Sequence, residues 1–211
     1  MKKIKSFIFT AIALAALFSF TSCWFFKDKD DDEETKTNNT SGISADDLVL
    51  EEGTYDLTRV VSYSWEGAGD YSYTEYIKVT VSGDSVTEVT FSTIEGYTDE
   101  ATYKEDKENL GNNSLYTYDD EKFTITYTYD ETEKTDSTQT FTLAEYKASL
   151  FATTGSTSTK DIEYSNVKVE QSEDKKTITR TANAAEYDKG KSSANGDTPT
   201  NTYSSVWTYT K

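Results

Sequence analysis

The amino-acid sequence predicts a mainly β protein, an antiparallel up-and-down meander with one or two short helices. Three observations predict it. Apolar and polar residues alternate with period two through most of the chain after Gly53. Small clusters rich in Gly, Asp, Ser and Asn fall between the alternating runs, where turns are needed. The runs themselves are dominated by Tyr and Thr, which fit a pleated, half-buried surface, and all sixteen tyrosines lie beyond residue 54.

In the first run Tyr55, Leu57, Val61, Tyr63 and Trp65 share one face, interrupted by Arg59, while Asp56, Thr58, Ser62 and Ser64 share the other. Tyr71, Tyr73, Ile77, Val79 and Val81 repeat the pattern, and Ser82-Gly83-Asp84 supplies a hairpin turn into residues 86–94. Phe123, Ile125, Tyr127 and Tyr129 alternate with Thr124, Thr126 and Thr128. Further strands are predicted near 114–118, 137–141, 162–170, 176–181 and 202–210. Two segments depart from this period. Residues 98–110 are rich in Glu, Lys and Asp and stop at Gly111, as a short helix does. Residues 142–152 open with the capping-box pair Thr142 and Glu145 and set Leu143, Tyr146, Leu150 and Phe151 on one face. Residues 183–200, with the single Pro199, read as a long connection.

The N-terminus reads as an address. Lys2, Lys3 and Lys5 precede an apolar stretch from Phe7 to Phe20, the layout of a secretory signal. An uncleaved anchor is the rival, since the apolar stretch with Phe25 and Phe26 is about long enough to span a bilayer. Phe20-Thr21-Ser22-Cys23 then resembles the lipobox of bacterial lipoproteins, with Phe20 in place of the usual leucine. That resemblance implies lipidation of the Cys23 thiol and cleavage just before it. The expected organisation is a lipoprotein signal at 1–22, a lipidated and acidic tether at 23–46, and a β domain at 47–211. Trp24, Phe25 and Phe26 would add membrane contact. The acidic stretch after Cys23 also resembles the surface-export signal of lipoproteins in the Bacteroidetes lineage. It implies an envelope location at the outer membrane or cell surface rather than the inner membrane. Asp28, Asp30 and Asp32 lack the glycine and the twelfth-position glutamate of a calcium loop.

Composition excludes several chemistries. The chain contains no histidine and one cysteine among 211 residues. His-dependent triads, His metal sites, intrachain disulfides and multi-thiolate clusters are therefore impossible. A net charge of −17, with Arg59 and Arg180 the only arginines, argues against nucleic acid as a partner. Carboxylates are too numerous for any pair to be singled out as a hydrolase site. Gly-x-Ser-x-Gly elbows and Gly-rich phosphate loops are absent. No enzymatic activity, no metal and no cofactor are expected.

An exported chain of roughly nine strands, opening on Gly53-Thr54-Tyr55 and ending on residues 203–210, resembles the bacterial lipocalin-like domains. Tyr55 stands where that family's Gly-x-Trp has its tryptophan, and Trp207 and Lys211 occupy the region of its last-strand arginine. The resemblance implies a small β-barrel that admits one small apolar ligand. On that expectation Tyr55, Tyr63, Trp65, Tyr71, Tyr73, Phe123, Tyr127, Tyr129 and Trp207 are the candidate ligand-binding residues, with Trp65 and Trp207 near the mouth to stack on the ligand. Tyr and Thr also build sheets that bind nothing. The alternative is a surface adhesin or protein-interaction module with a solid β core, meeting a host or envelope protein.

Overall fold

The computed structural model describes residues 42–65, 69–129 and 138–211, the side chains of residues 64, 65, 69 and 70 excepted. Among the described residues ten strands, two helices and one 3-10 turn follow in order: β1 Gly53–Trp65, β2 Gly69–Ser82, β3 Ser85–Tyr97, α1 Glu100–Leu110, β4 Tyr116–Asp119, β5 Thr124–Thr128, β6 Thr138–Thr142, α2 Leu143–Leu150, β7 Thr154–Ser156, β8 Lys160–Gln171, β9 Thr177–Asp188, the turn Ser193–Asn195, and β10 Asn201–Thr210. Every pairing is antiparallel, in the sheet order β4-β5-β3-β2-β1-β10-β9-β8-β7, with β6 also on β3. The first and last strands lie side by side at the centre, Leu57 to Tyr63 running against Tyr209 to Tyr203.

The alternation read from the sequence sorts the two faces. Tyr55, Leu57, Val61 and Tyr63 of β1 are buried, as are Tyr73, Ile77, Val79 and Val81 of β2, while Asp56, Ser62 and Lys78 are exposed. A register shift at Tyr76/Ile77 leaves Phe91 as the extra residue of β3, 46% exposed and packed on Tyr76. Such a bulge turns the strand and re-aims the residues beyond it.

Expected barrel closure is not found. Among the described residues no ladder joins the edge strands β4 and β7, so the sheet stays open. These edges are four and three residues long, too short to wrap the sheet onto itself. Helix α2 covers the inner face instead. Its capping box is complete, with Thr142 Oγ1 accepting from the Glu145 amide and the Glu145 carboxylate accepting from the Thr142 amide. It places Tyr146 and Leu150 in the main core beside Leu57, Ile77, Val86, Val169 and Ile178. Helix α1 is capped by Asp99 and stopped by Gly111 at φ 64°, and sends Tyr103 into a smaller core with Tyr97 and Ile125.

Two local expectations change. The 183–200 segment is not one long connection, because β9 continues to Asp188. Ala182, Ala184 and Glu186 keep the inward alternation, but alanine and glutamate are weak strand formers and hide it in the sequence. Phe123 lies before β5, with a φ of 52°, rather than within the strand. Upstream of β1, Ile43 donates its amide to the Val169 carbonyl at 3.0 Å, and Leu48 and Leu50 are buried in the main core. No helix among the described residues is long and apolar enough to cross a membrane.

Candidate functional site

A single cross-strand row on the inner face carries the chemistry. Register places Glu75 of β2 opposite Arg59 of β1, Arg59 opposite Trp207 of β10, and Trp207 opposite Arg180 of β9. Both arginines of the protein therefore flank one indole. The Arg59 guanidinium carbon is 4.3 Å from the Trp207 ring centre and that of Arg180 is 4.5 Å from it. Cations against a tryptophan ring are held by its quadrupole, more strongly where water is excluded.

The two guanidinium groups differ in what neutralises them. Arg59 Nη1 donates to Glu75 at 3.1 Å and its Nη2 lies 3.5 Å from Glu88. Glu88 also accepts a 2.5 Å bond from the Tyr146 hydroxyl of α2, which lies 3.2 Å from the Tyr209 hydroxyl. Burial opposes charge on Arg59, but the attraction of Glu88 and Glu75 outweighs it and holds the group above its ordinary value. Burial raises the Glu75 carboxyl, against the pull of Arg59. Arg180 is 1% exposed, and among the described residues its hydrogen bonds go to the backbone carbonyls of Leu150, at 2.8 Å, and Ala152, at 3.4 Å. No carboxylate among the described residues pairs with it, and burial lowers its pKa.

A partly enclosed cavity of about 120 Å³ opens over this row. Arg59, Arg180, Trp207, Ser205, Glu88, Tyr73 and Tyr203 give it polar walls, and Val61, Ile162, Phe141 and Ala152 give it apolar ones. Arg59 Nε, Arg180 Nη1, Trp207 Nε1 and Ser205 Oγ are buried and have no hydrogen-bond partner. Each such orphan costs about 1–3 kcal/mol, and an unpaired buried charge costs more. Groups of this kind are satisfied by ordered water or by a bound molecule. Among the described residues Ser205 Oγ has no hydrogen-bond partner, and Glu88 is engaged by Arg59 and Tyr146.

The residues expected to bind ligand are only partly gathered here. Tyr73 and Trp207 line the cavity. Trp207 does not offer a free ring face for stacking, because an arginine from each neighbouring strand already packs against it. Tyr55 is fully buried in the main core, its hydroxyl donating to the Glu51 carbonyl. Tyr63 and Tyr71 belong to an aromatic chain that runs from Tyr203 through Tyr63, Tyr71, Tyr97 and Tyr103 to Phe123, with ring centres 5.0–6.1 Å apart. Tyr127 rests between Tyr116 and Tyr129, away from the cavity. The Trp65 side chain and Cys23 lie outside the described residues, as do the signal and the lipobox.

Arg59 and Arg180 stand outside the candidate residues that the sequence yields, although both are legible in it. Each occupies an inward position of an alternating strand, Arg59 between Leu57 and Val61, Arg180 between Ile178 and Ala182. A cation on an apolar face is the signal that could have found the site. Comparison of the chain with protein-family models, curated proteins and solved structures returns no match.

Proposed function

We propose that this chain is an exported, lipid-anchored envelope protein whose β domain is a non-enzymatic, lipocalin-like carrier of one small ligand. The observation that carries the binding reading is the cavity over Arg59, Trp207 and Arg180, with four buried polar atoms left unpartnered. The lipocalin likeness is supported by the pairing of the first strand with the last and by Lys211 Nζ, 5.6 Å from the Tyr55 ring centre, in the manner of that family's cation on its first-strand aromatic. The anchor is supported by the basic head, the apolar stretch and Cys23. The polar wall of the cavity favours a ligand with a polar group at one end over the wholly apolar one expected from the sequence.

Native mass spectrometry of the protein released from its own cell envelope tests the carrier. A bound small molecule is expected, and its loss on filling the cavity by Ile162→Trp places it. A protein free of any passenger, capturing an envelope or host protein through its outer face, where Phe91 and Val206 are 46% and 42% exposed, favours the interaction module instead. For the anchor, Cys23→Ser is expected to abolish metabolic palmitate labelling; unchanged labelling refutes it.

A further inference from the structure

The orphaned polar atoms of the cavity lining have a common chemical character; Glu75 Oε1, an orphaned acceptor of the same row, lies on β2 outside that lining. Arg59 Nε, Arg180 Nη1 and Trp207 Nε1 can only donate, and Ser205 Oγ can do so. No acceptor-only atom of the cavity lining is left unpartnered, since Glu88 is already engaged by Arg59 and Tyr146. Water could satisfy such donors, but it would leave the charge of Arg180 unopposed. Arg59 has two glutamates, whereas among the described residues Arg180 has backbone carbonyls and aromatic rings but no carboxylate. The charge wanting a partner is thus a single positive one, against the Trp207 indole and in the same cavity lining as Ser205, two residues before it on β10.

Resting on the carrier reading above, we propose that the cavity is an anion site for a small organic monocarboxylate. Its carboxylate lies against Arg180 Nη1, with Trp207 Nε1 and Ser205 Oγ as further donors, and its carbon body lies along Val61 and Ile162. The volume selects the class. At about 120 Å³ the cavity is far larger than a chloride ion, and its apolar wall rewards carbon rather than water. A phosphate or sulfate dianion would bring a second negative charge near Glu88 with no free cation to meet it. Arg180 thereby acts as the specificity-determining residue, and Arg59, tied to its glutamates, holds the indole in place.

The test is calorimetric titration of the full chain, purified in detergent in chloride-free buffer. The probes are acetate, butyrate and benzoate, the neutral butyramide and benzamide, and chloride and phosphate. Butyrate and benzoate are expected to bind more tightly than acetate and at least about tenfold more tightly than their amides. Arg180→Gln is expected to weaken butyrate binding on the order of 10- to 100-fold without a matching loss for butyramide. Should that variant fail to fold by circular dichroism, Ser205→Ala and Ile162→Trp carry the test, the first weakening and the second abolishing carboxylate binding. Equal affinity for acid and amide, or binding of chloride or phosphate alone, overturns the anion assignment and leaves the cavity a binding site. No binding of any probe, charged or neutral, overturns the assignment and the cavity's carrier role together.

Discussion

Replacing Asp106 by Asn is expected to stabilise the protein at alkaline pH and to do almost nothing at acid pH. Asp106 lies on the inner side of α1, fully buried, and neither carboxylate oxygen has a hydrogen-bond partner. The nearby Tyr97 hydroxyl is given to Glu95 at 2.7 Å. Burial pushes the Asp106 carboxyl up to about 7; Tyr97 pulls the other way, and the negative charges of Glu95 and Glu105 add to the rise. Glu95, held against Tyr97 and Tyr71, is itself raised by burial. A folded-state value above the unfolded one means that the folded protein binds more protons between the two. Stability is then fullest below the ordinary carboxylate value and falls as pH rises towards and through 7. A displacement of that size corresponds to about 4 kcal/mol, and relaxation around a buried charge leaves roughly 2 kcal/mol as the expected effect. With a urea slope of about 2 kcal/mol per molar, Asp106→Asn is expected to raise the unfolding midpoint by about 1 M at pH 8.5 and to leave it nearly unchanged at pH 4. Comparing the variant with the parent at each pH cancels the repulsion due to the rest of a strongly acidic chain. Equal midpoint differences at the two pH values would refute the reasoning.

Two further perturbations test the packing that shapes the cavity. Thr142→Ala removes one half of the α2 capping box and is expected to cost about 1 kcal/mol, with faster amide exchange at Tyr146 and Leu150 as the local reading; unchanged exchange there would mean that the cap does not hold the helix over the sheet. Gly42→Ala would bring a Cβ to 2.5 Å from the Val169 carbonyl oxygen, so the strap through Ile43 must shift; a loss of about 1–3 kcal/mol in urea unfolding is expected, and full stability would contradict that contact.

How much of this was visible beforehand depends on the range of the interaction. The faces of β1 and β2 follow from alternation at Tyr55, Leu57, Val61 and Tyr63, because side-chain direction in a strand is local. The capping box at Thr142 and Glu145 and the stop at Gly111 are local too. What the sequence could not disclose is pairing. The face shared by Tyr55 and Tyr63 was readable, but their division between different cores depends on neighbours more than a hundred residues away, Ile178 and Tyr209 for the one and Ala184 and Tyr203 for the other. Closure likewise depended on β4 and β7, and neither the brevity of the Tyr-Thr run at β4 nor a strand at Thr154-Gly155-Ser156 shows in the sequence. The site itself required knowing that β1 and β9 flank β10, which alone brings Arg59 and Arg180 to the two sides of Trp207.

The central claim, that the cavity over Arg59, Trp207 and Arg180 receives a ligand, is tested most directly at the Trp207 indole. Its N–H is buried and unpartnered, so a ligand acceptor must change its proton and nitrogen resonances. In two-dimensional NMR of the nitrogen-labelled protein, with the signal assigned through Trp207→Phe, benzoate is expected to move the Trp207 indole resonance saturably and to leave those of Trp24 and Trp65 in place. A Trp207 signal that stays fixed throughout the titration, and with envelope extract in place of benzoate, would contradict the account.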